Sequence, residues 1–298
     1  MKNLLFIYNP HSGKGLIKDN LAEIINIFVK GGYEVTVYPT QRRNDAKEKV
    51  KYSGYNYDMI VCSGGDGTLN EVISGLMDLP VKPVLGYIPA GSTNDFAQSI
   101  KLSKEMDESA RAAMNGLPIL VDIGSFNKKY FVYIAAFGLF TDISYATPQE
   151  MKNALGHQAY LIEAATKIPN LKTYNMKVEY DGGKIEGEFI YGMISNSISV
   201  GGIKGITGKN IVLDDGLFEV RLVKKPKNPL DLSAVFGNLL GVDIKIDSVV
   251  SFKTSKLKIE SDEKVSWVLD GEFGGALKKV KIVNHKQAVK IMSGISKG

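Results

Sequence analysis

Four times in the first hundred residues a short apolar run ends in a turn and gives way to helical spacing. LLFIYNP (4–10) precedes an amphipathic stretch from Leu16 to Phe28, and EVTVYPT (34–40) precedes a polar helix-like stretch. DMIVCSGG (58–65) precedes TLNEVISGLM, and VLGYIPAG (84–91) precedes NDFAQSI. Strand-then-helix repetition calls for parallel strands joined by right-handed crossovers, since a parallel neighbour is reached only by crossing back over the sheet. The expected class is α/β, with a ligand at the carboxyl ends of the strands. Three of those ends, NPHSGKG, SGGDGT and PAGSTND, carry turn and phosphate-type residues. Their convergence on one sheet edge predicts a single anion site.

Beyond about residue 123 the texture changes. KVEYDGGKIEGEFIYGMI (177–194) and KLKIESDEKVSWVLDGEF (256–273) are long, strand-like and broken by Asp-Gly, Gly-Gly or charged turns, which reads as antiparallel β structure. Two domains are expected: α/β at 1–123 and a mostly antiparallel β-sandwich at 124–287. Helical interruptions fall at 155–168 and 229–240, and the apolar strand AVKIMSG lets 288–298 return to the first domain. A chain of 298 residues, 44% hydrophobic and 23% charged, can bury a core in each.

The net charge of +5 is spread along the chain and forms no basic stripe. This favours small anionic partners or an acidic membrane surface over nucleic acid. Cys62 is the single cysteine, so no intramolecular disulfide forms, and its strand position reads as a small buried apolar residue in a reducing compartment. The apolar run Leu4 to Tyr8 is too short for a secretory signal. YFVYIAAFGLF (130–140) falls far short of the roughly 20 residues that span a bilayer. The expectation is a cytoplasmic protein whose membrane contact is peripheral, through apolar and lysine-bearing loops such as 201–209 with Lys204 and Lys209.

The glycine turn fits neither common phosphate fingerprint. Gly65-Asp66-Gly67 opens a G-x-G-x-x-G whose sixth place is Asn70, and Lys14 lacks both the upstream glycine and the following Ser or Thr of a P-loop. Glycines 64, 65 and 67 still let backbone approach a ligand, and the helix after them aims its first amides at an anion. Thr68 and Glu71 stand in T-x-x-E spacing, which predicts a capping box at that helix start. Asp95 reads as a helix-start residue beside an Asn94 cap. The Asp-Gly pairs in EYDGGK (179–184), LDDG (213–216) and LDGE (269–272) each predict a hairpin turn. His11, His157 and His285 are dispersed without metal-ligand spacing, although His11 lies in a phosphate turn.

Taken in order, YNPHSG (8–13), GGDGTLNE (64–71), PAGSTNDFA (89–97), VDIG (121–124), LDDGLFEV (213–220) and VLDGEFGG (268–275) resemble the bacterial soluble diacylglycerol kinase family, relatives of the sphingosine and ceramide kinases. The glycine-aspartate core alone is similar to NAD kinases too; the ordered set covers nearly the whole chain. The resemblance implies an ATP- and Mg²⁺-dependent kinase that phosphorylates the hydroxyl of diacylglycerol to give phosphatidic acid. Phosphatidylglycerol, a sphingoid base or NAD are alternative acceptors, and a non-catalytic nucleotide-binding regulator is the alternative from another class.

The resemblance also implies nucleotide contacts at Asn9, Pro10, His11, Ser12, Gly13, Thr40, the loop Gly64, Gly65, Asp66, Gly67, Thr68, Leu69 and Asn70, and Ser92, where relatives often carry Thr. Asp66 and Asp95 then ligate Mg²⁺ on the nucleotide phosphates, directly or through water. Glu272 is the general base for the lipid hydroxyl, with Asp270 nearby in the metal network. Asp215, helped by carbonyls at Val212 and Leu217, is implied to bind a second Mg²⁺, although GGIKGITGKNIV (201–212) departs from the proline-containing segment of many relatives. A homodimer is a further family-level implication.

Overall fold

The computed structural model describes residues 1–139, 172–204, 207, 208, 210–228, 231, 234, 235 and 246–296. Strands β1 (Lys2–Tyr8), β2 (Tyr33–Pro39), β3 (Met59–Gly64) and β4 (Val84–Pro89) run parallel in the order β2-β1-β3-β4. Helices α1 (Ile17–Lys30), α2 (Asp45–Ser53), α3 (Asp66–Met77), α4 (Asp95–Ser99) and α5 (Met106–Asn115) alternate with and follow them.

Alternation along each strand explains the layering. Leu5 and Ile7 of β1, with Ile60 and Cys62 of β3, pack into one cluster with Val50 of α2 and Leu69, Val72 and Ile73 of α3. Leu4, Phe6, Met59 and Val61 pack with Ile24 and Phe28 of α1 and Ala110 and Ala113 of α5. Cys62 is fully buried, and burial pushes its thiol well above its ordinary pKa. It is an unreactive core residue.

The second half is built from β5 (Gly116–Phe126), β6 (Lys129–Phe131), β7 (Ile134–Gly138), β8 (Tyr174–Tyr180), β9 (Gly183–Ser195), the short pair β10 (Ser199–Val200) and β11 (Ile203–Lys204), β12 (Phe218–Lys224), β13 (Val249–Thr254), β14 (Lys256–Leu269) and β15 (Glu272–Ser296). Both β7 and β8 pair antiparallel with β9 on one side and β14 on the other, at different points along those long strands. Inside this wrap Trp267 stands 4.9 Å from Phe137 and 5.1 Å from Phe126 between ring centroids. Phe189, Phe218 and Val178 fill the same cluster.

Strand β15 ties the halves together. Its first part pairs with β14, while Ile291 pairs parallel with Leu85 of β4 and antiparallel with Ile119 of β5. The cluster around Leu69 also includes Tyr133, Ile134, Tyr191 and Met193, so apolar packing runs continuously from the parallel sheet into the antiparallel half.

Two of the Asp-Gly pairs are hairpin turns. Asp181-Gly182 joins β8 to β9, and Asp270-Gly271 joins β14 to β15 with φ of 48° and 84°, the two positive values that a type I′ turn needs. LDDG departs from that expectation: it lies in the loop that enters β12. The helix expected at 155–168 lies outside the described residues; within 229–240, Asp231, Ala234 and Val235 are described and are helical.

Candidate active site

The three loaded strand ends meet. The Asn9 amide donates to Ser63 O at 2.9 Å, the Ala90 amide to Gly64 O at 2.8 Å, and the Gly65 amide to Ser12 Oγ at 3.3 Å. Gly13, at φ 56°, lies so near the end of β4 that a Cβ would stand 2.3 Å from Ala90 O; only glycine fits there. The loops enclose a cavity of about 400 Å³ lined by Asn9, His11, Ser12, Thr40, Gly65, Gly67 and Thr68. Helix α3 begins at Asp66, so the amides of its first turn, which have no intrahelical acceptor, lie beside this cavity.

Some expected contacts point elsewhere. Leu69 is fully buried in the core, and its amide donates to Gly65 O at 3.1 Å, so its side chain packs α3 and does not line the cavity. Asn70 turns to the other domain, where its Nδ2 donates to Tyr130 O at 3.1 Å and Asp270 Oδ2 at 2.7 Å. Ser92 is exposed and lines neither this cavity nor its neighbour. Pro10, Gly13 and Gly64 shape the loops without lining the cavity.

The helix starts are capped from a distance, not by the local pattern. Gly65 is the N-cap of α3 and Thr68 already lies inside the helix, so T-x-x-E forms no capping box. Glu71 reaches α2 instead, accepting the amides of Asn44 at 2.7 Å and Ala46 at 3.2 Å. Asn94 makes no side-chain cap to α4; it closes its own loop through the amide and carbonyl of Gly91, at 2.9 and 2.8 Å. The first amides of α4, those of Asp95 and Phe96, donate to the Asp66 carboxylate at 3.2 and 3.5 Å.

Three carboxylates gather behind the glycine loop. Burial, and after it the charge of Asp95, pushes the pKa of Asp66 up to about 7 against the pull of the α4 amides. Asp95 is buried with both oxygens engaged: Oδ1 accepts Ser199 Oγ at 2.9 Å and the Gly202 amide at 2.8 Å, and Oδ2 the Gly201 amide at 2.8 Å. Asp270 is equally committed, accepting the amides of Val132 at 2.6 Å and of Tyr133 and Ile134 at 3.0 Å, besides Asn70. Burial raises its pKa too.

Of the three, Asp66 alone has only long hydrogen bonds, so it has acceptor capacity to spare. Asp66 does not itself line the smaller cavity but stands between Gly65 and Gly67, which do; a hard carboxylate oxygen with spare capacity fits Mg²⁺, which takes one or two carboxylates and completes its shell with phosphate oxygens and water. Among the described residues no group of three or more His, Cys, Asp or Glu could hold a metal ion by itself.

Glu272 stands first in β15, lifted by the Asp270-Gly271 turn. Its Oε1 lies 3.2 Å from the point where a Gly67 Cβ would be, and its Oε2 pairs with Arg43. On its far side opens a second cavity, of about 590 Å³, whose lining includes Lys47, Lys128, Lys129, Tyr130 and Phe273. Gly67, Glu71, Arg43 and Glu272 border both cavities. A group transferred from one cavity to the other would therefore pass Glu272.

The Asp215 region has a different character. Asp215 Oδ1 accepts the Leu217 amide at 2.9 Å, and Oδ2 lies 3.5 Å from Lys253 Nζ, which also meets Glu219 at 2.8 Å. Val212 is exposed. Asp215 thus shares the Lys253 ammonium with Glu219, and a second Mg²⁺ held by Asp215 would have to displace that ammonium. The neighbouring Asp122 holds this loop, accepting the amides of Gly216 and Gln287, each at 2.6 Å.

Arg43 and the distant partners of Glu71 and Asn70 were not legible in the motifs. Their one available signal was position, since QRRND follows the carboxyl end of β2. The Tyr87 hydroxyl, donating to Gly64 O at 3.1 Å, braces the same loop from within the core.

Comparison with known proteins agrees with this layout. Residues 3–126 match the diacylglycerol kinase catalytic domain, and residues 141–292 match the YegS C-terminal NAD kinase beta sandwich-like domain. A diacylglycerol kinase of Bacillus subtilis (strain 168) is 34% identical over 93% of this chain and 92% of its own length. One from Staphylococcus carnosus (strain TM300) is 33% identical over 97% and 94%. A diacylglycerol kinase crystal structure from Bacillus anthracis str. Sterne superposes with a TM-score of 0.77 at 22% identity, covering 98% of this chain and 97% of that one. Relatedness of this depth, over both halves and in one order, leaves a single assignment: the chain belongs to the diacylglycerol kinase family of lipid kinases.

Proposed function

We propose that the chain transfers the γ-phosphoryl group of ATP to the free hydroxyl of diacylglycerol, releasing ADP and phosphatidic acid. The observation that carries this reading is the position of Glu272, poised over Gly67 where the two cavities join. In this reading residues 1–123 and the returning C-terminal strand hold nucleotide, and 124–287 present the acceptor.

The loop amides and Ser12, Thr40 and Asn9 orient the phosphates; Asp66 is the residue that would hold Mg²⁺. Mg²⁺, when bound, supplies positive charge that offsets the phosphate oxygens during transfer. The acceptor hydroxyl enters from the larger cavity beside Phe273. Its proton passes to Glu272 as the new P–O bond forms and the bond to ADP breaks. Because phosphoryl transfer depends mainly on positioning, a carboxylate suffices as base. Asp95 and Asp270 act as positioning residues that hold the 199–202 turn and the 132–134 segment around the cleft.

Among the described residues no helix is long and apolar enough to cross a membrane. The proposed reading also has the enzyme in the cytoplasm, meeting its lipid at the inner membrane face through loop 201–209, with a homodimer as the assembly. Lys209 lies outside the described residues. Liposome co-sedimentation unaffected by charge reversal at Lys204 and Lys209 would count against that loop.

The function itself is tested by incubating the protein with labelled ATP, Mg²⁺ and a panel of diacylglycerol, phosphatidylglycerol, sphingosine and NAD. Label in phosphatidic acid is expected. Transfer to NAD alone, or nucleotide binding without transfer, sinks the proposal.

A further inference from the structure

Two cations, Arg42 and Arg43, and two carboxylates, Glu71 and Glu272, line the smaller cavity among the described residues. Their commitments differ. Arg42 is turned to Glu48, with Nη2 at 2.6 Å, and Glu71 is consumed by the α2 amides. Arg43 alone pairs with a residue that must change partners if an acceptor hydroxyl is to be deprotonated, namely Glu272.

The backbone that presents Arg43 is fixed on both flanks. Before it, the Gln41 amide donates to Asp45 Oδ2 at 2.7 Å, and the Tyr38 hydroxyl to Asp45 Oδ1 at 3.0 Å. After it, Asn44 sits at φ 64°, with its amide held by Glu71. Residues 41–46 thus form a braced platform that presents an exposed guanidinium at the rim of the glycine loop, the ordering cost of its backbone met before any ligand arrives. A triphosphate entering a cavity that already holds two carboxylates needs a cation, and a guanidinium offers phosphate the forked geometry it now offers Glu272.

We infer that Arg43 is a phosphate-contacting residue of the nucleotide site, paired with Glu272 in this structure and transferred to the terminal phosphate when nucleotide binds. The exchange links the two halves of the reaction. Arrival of the terminal phosphate takes the guanidinium from Glu272 and frees that carboxylate for the acceptor hydroxyl, so the base is released only when the donor is in place. This inference rests on the kinase reading for the identity of the nucleotide.

Binding, not turnover, tests it. Affinities for the Mg²⁺ complexes of β,γ-imido-ATP and of ADP are measured by titration calorimetry for the wild type and for Arg43→Gln, Arg43→Lys and Glu272→Gln, with thermal melts to verify folding. Arg43→Gln is expected to weaken imido-ATP by about tenfold and ADP by less than about twofold, as for loss of a charged contact to the terminal phosphate alone. Arg43→Lys should recover part of the loss, and Glu272→Gln should bind imido-ATP at least as tightly as the wild type. Equal weakening of both nucleotides by Arg43→Gln, or weakening of neither, overturns the inference. If the wild type phosphorylates no lipid, the kinase reading falls, while the ratio of the two nucleotide affinities still decides the role of Arg43.

Discussion

Asp66 and Asp95 are joined in one direction only: the Asp66 carboxylate receives the backbone amide of Asp95 at 3.2 Å, while the Asp95 carboxylate turns away to Ser199, Gly201 and Gly202. Two acids that look equivalent as metal ligands thus do different work. Asp66 caps α4 from the start of α3; Asp95 fastens the β10–β11 turn to the first domain.

Asp66 makes the folded enzyme pH-sensitive when no cation is bound. Its folded pKa of about 7 lies above the ordinary 3.8, so between those values the native state keeps a proton that the unfolded chain has released. The associated stability is fully present below about pH 4 and is lost as pH rises through about 7. In chelator, Asp66→Asn should therefore gain on the wild type as pH rises, reaching a few degrees in Tm at pH 8. A Tm difference that stays constant from pH 5 to pH 8 would refute this.

Glu272→Gln should keep ADP affinity within about twofold and lower turnover by about a hundredfold or more, the usual scale for losing a general base. Steady-state kinetics beside calorimetry separates the two effects. Full activity in this variant would remove Glu272 from the mechanism.

Asp270 accepts four hydrogen bonds in a buried site, three of them from the consecutive amides of Val132, Tyr133 and Ile134. Asp270→Ala strands those donors and should cost about 3 kcal/mol, or on the order of 5–10 °C in Tm. Asp181→Ala, in the other Asp-Gly hairpin, removes contacts to Ser255 and Thr254 near the surface and should cost about a third as much. Equal losses by differential scanning calorimetry would mean that the Asp270 network adds nothing beyond a turn.

Glu71→Ala uncaps α2. Amide exchange at 44–48 should accelerate by about fivefold, the effect of losing about 1 kcal/mol of cap, with the first turn of α3 unchanged. Acceleration confined to α3 would restore the capping-box reading that the geometry rejects.

The sequence by itself determined the parallel and antiparallel halves, because side-chain periods of two and of 3.6 are local properties that survive without knowledge of the fold. It also placed the glycine loop between a strand end and a helix start, an arrangement that suits an anion because the first helix amides lack intrahelical acceptors. The Asp-Gly turn at 270–271 was legible as a turn, and it is one, with its carboxylate bonded to Asn70 of the other half. Only the tertiary structure decided which partner each polar side chain takes. Glu71 caps a helix that starts 26 residues before it, Asn70 bridges to Asp270 two hundred residues on, and Arg43 meets Glu272 across the cleft. Spacing along a chain fixes which residues could meet; a buried polar group settles on whichever donor or acceptor the packed fold brings within about 3 Å.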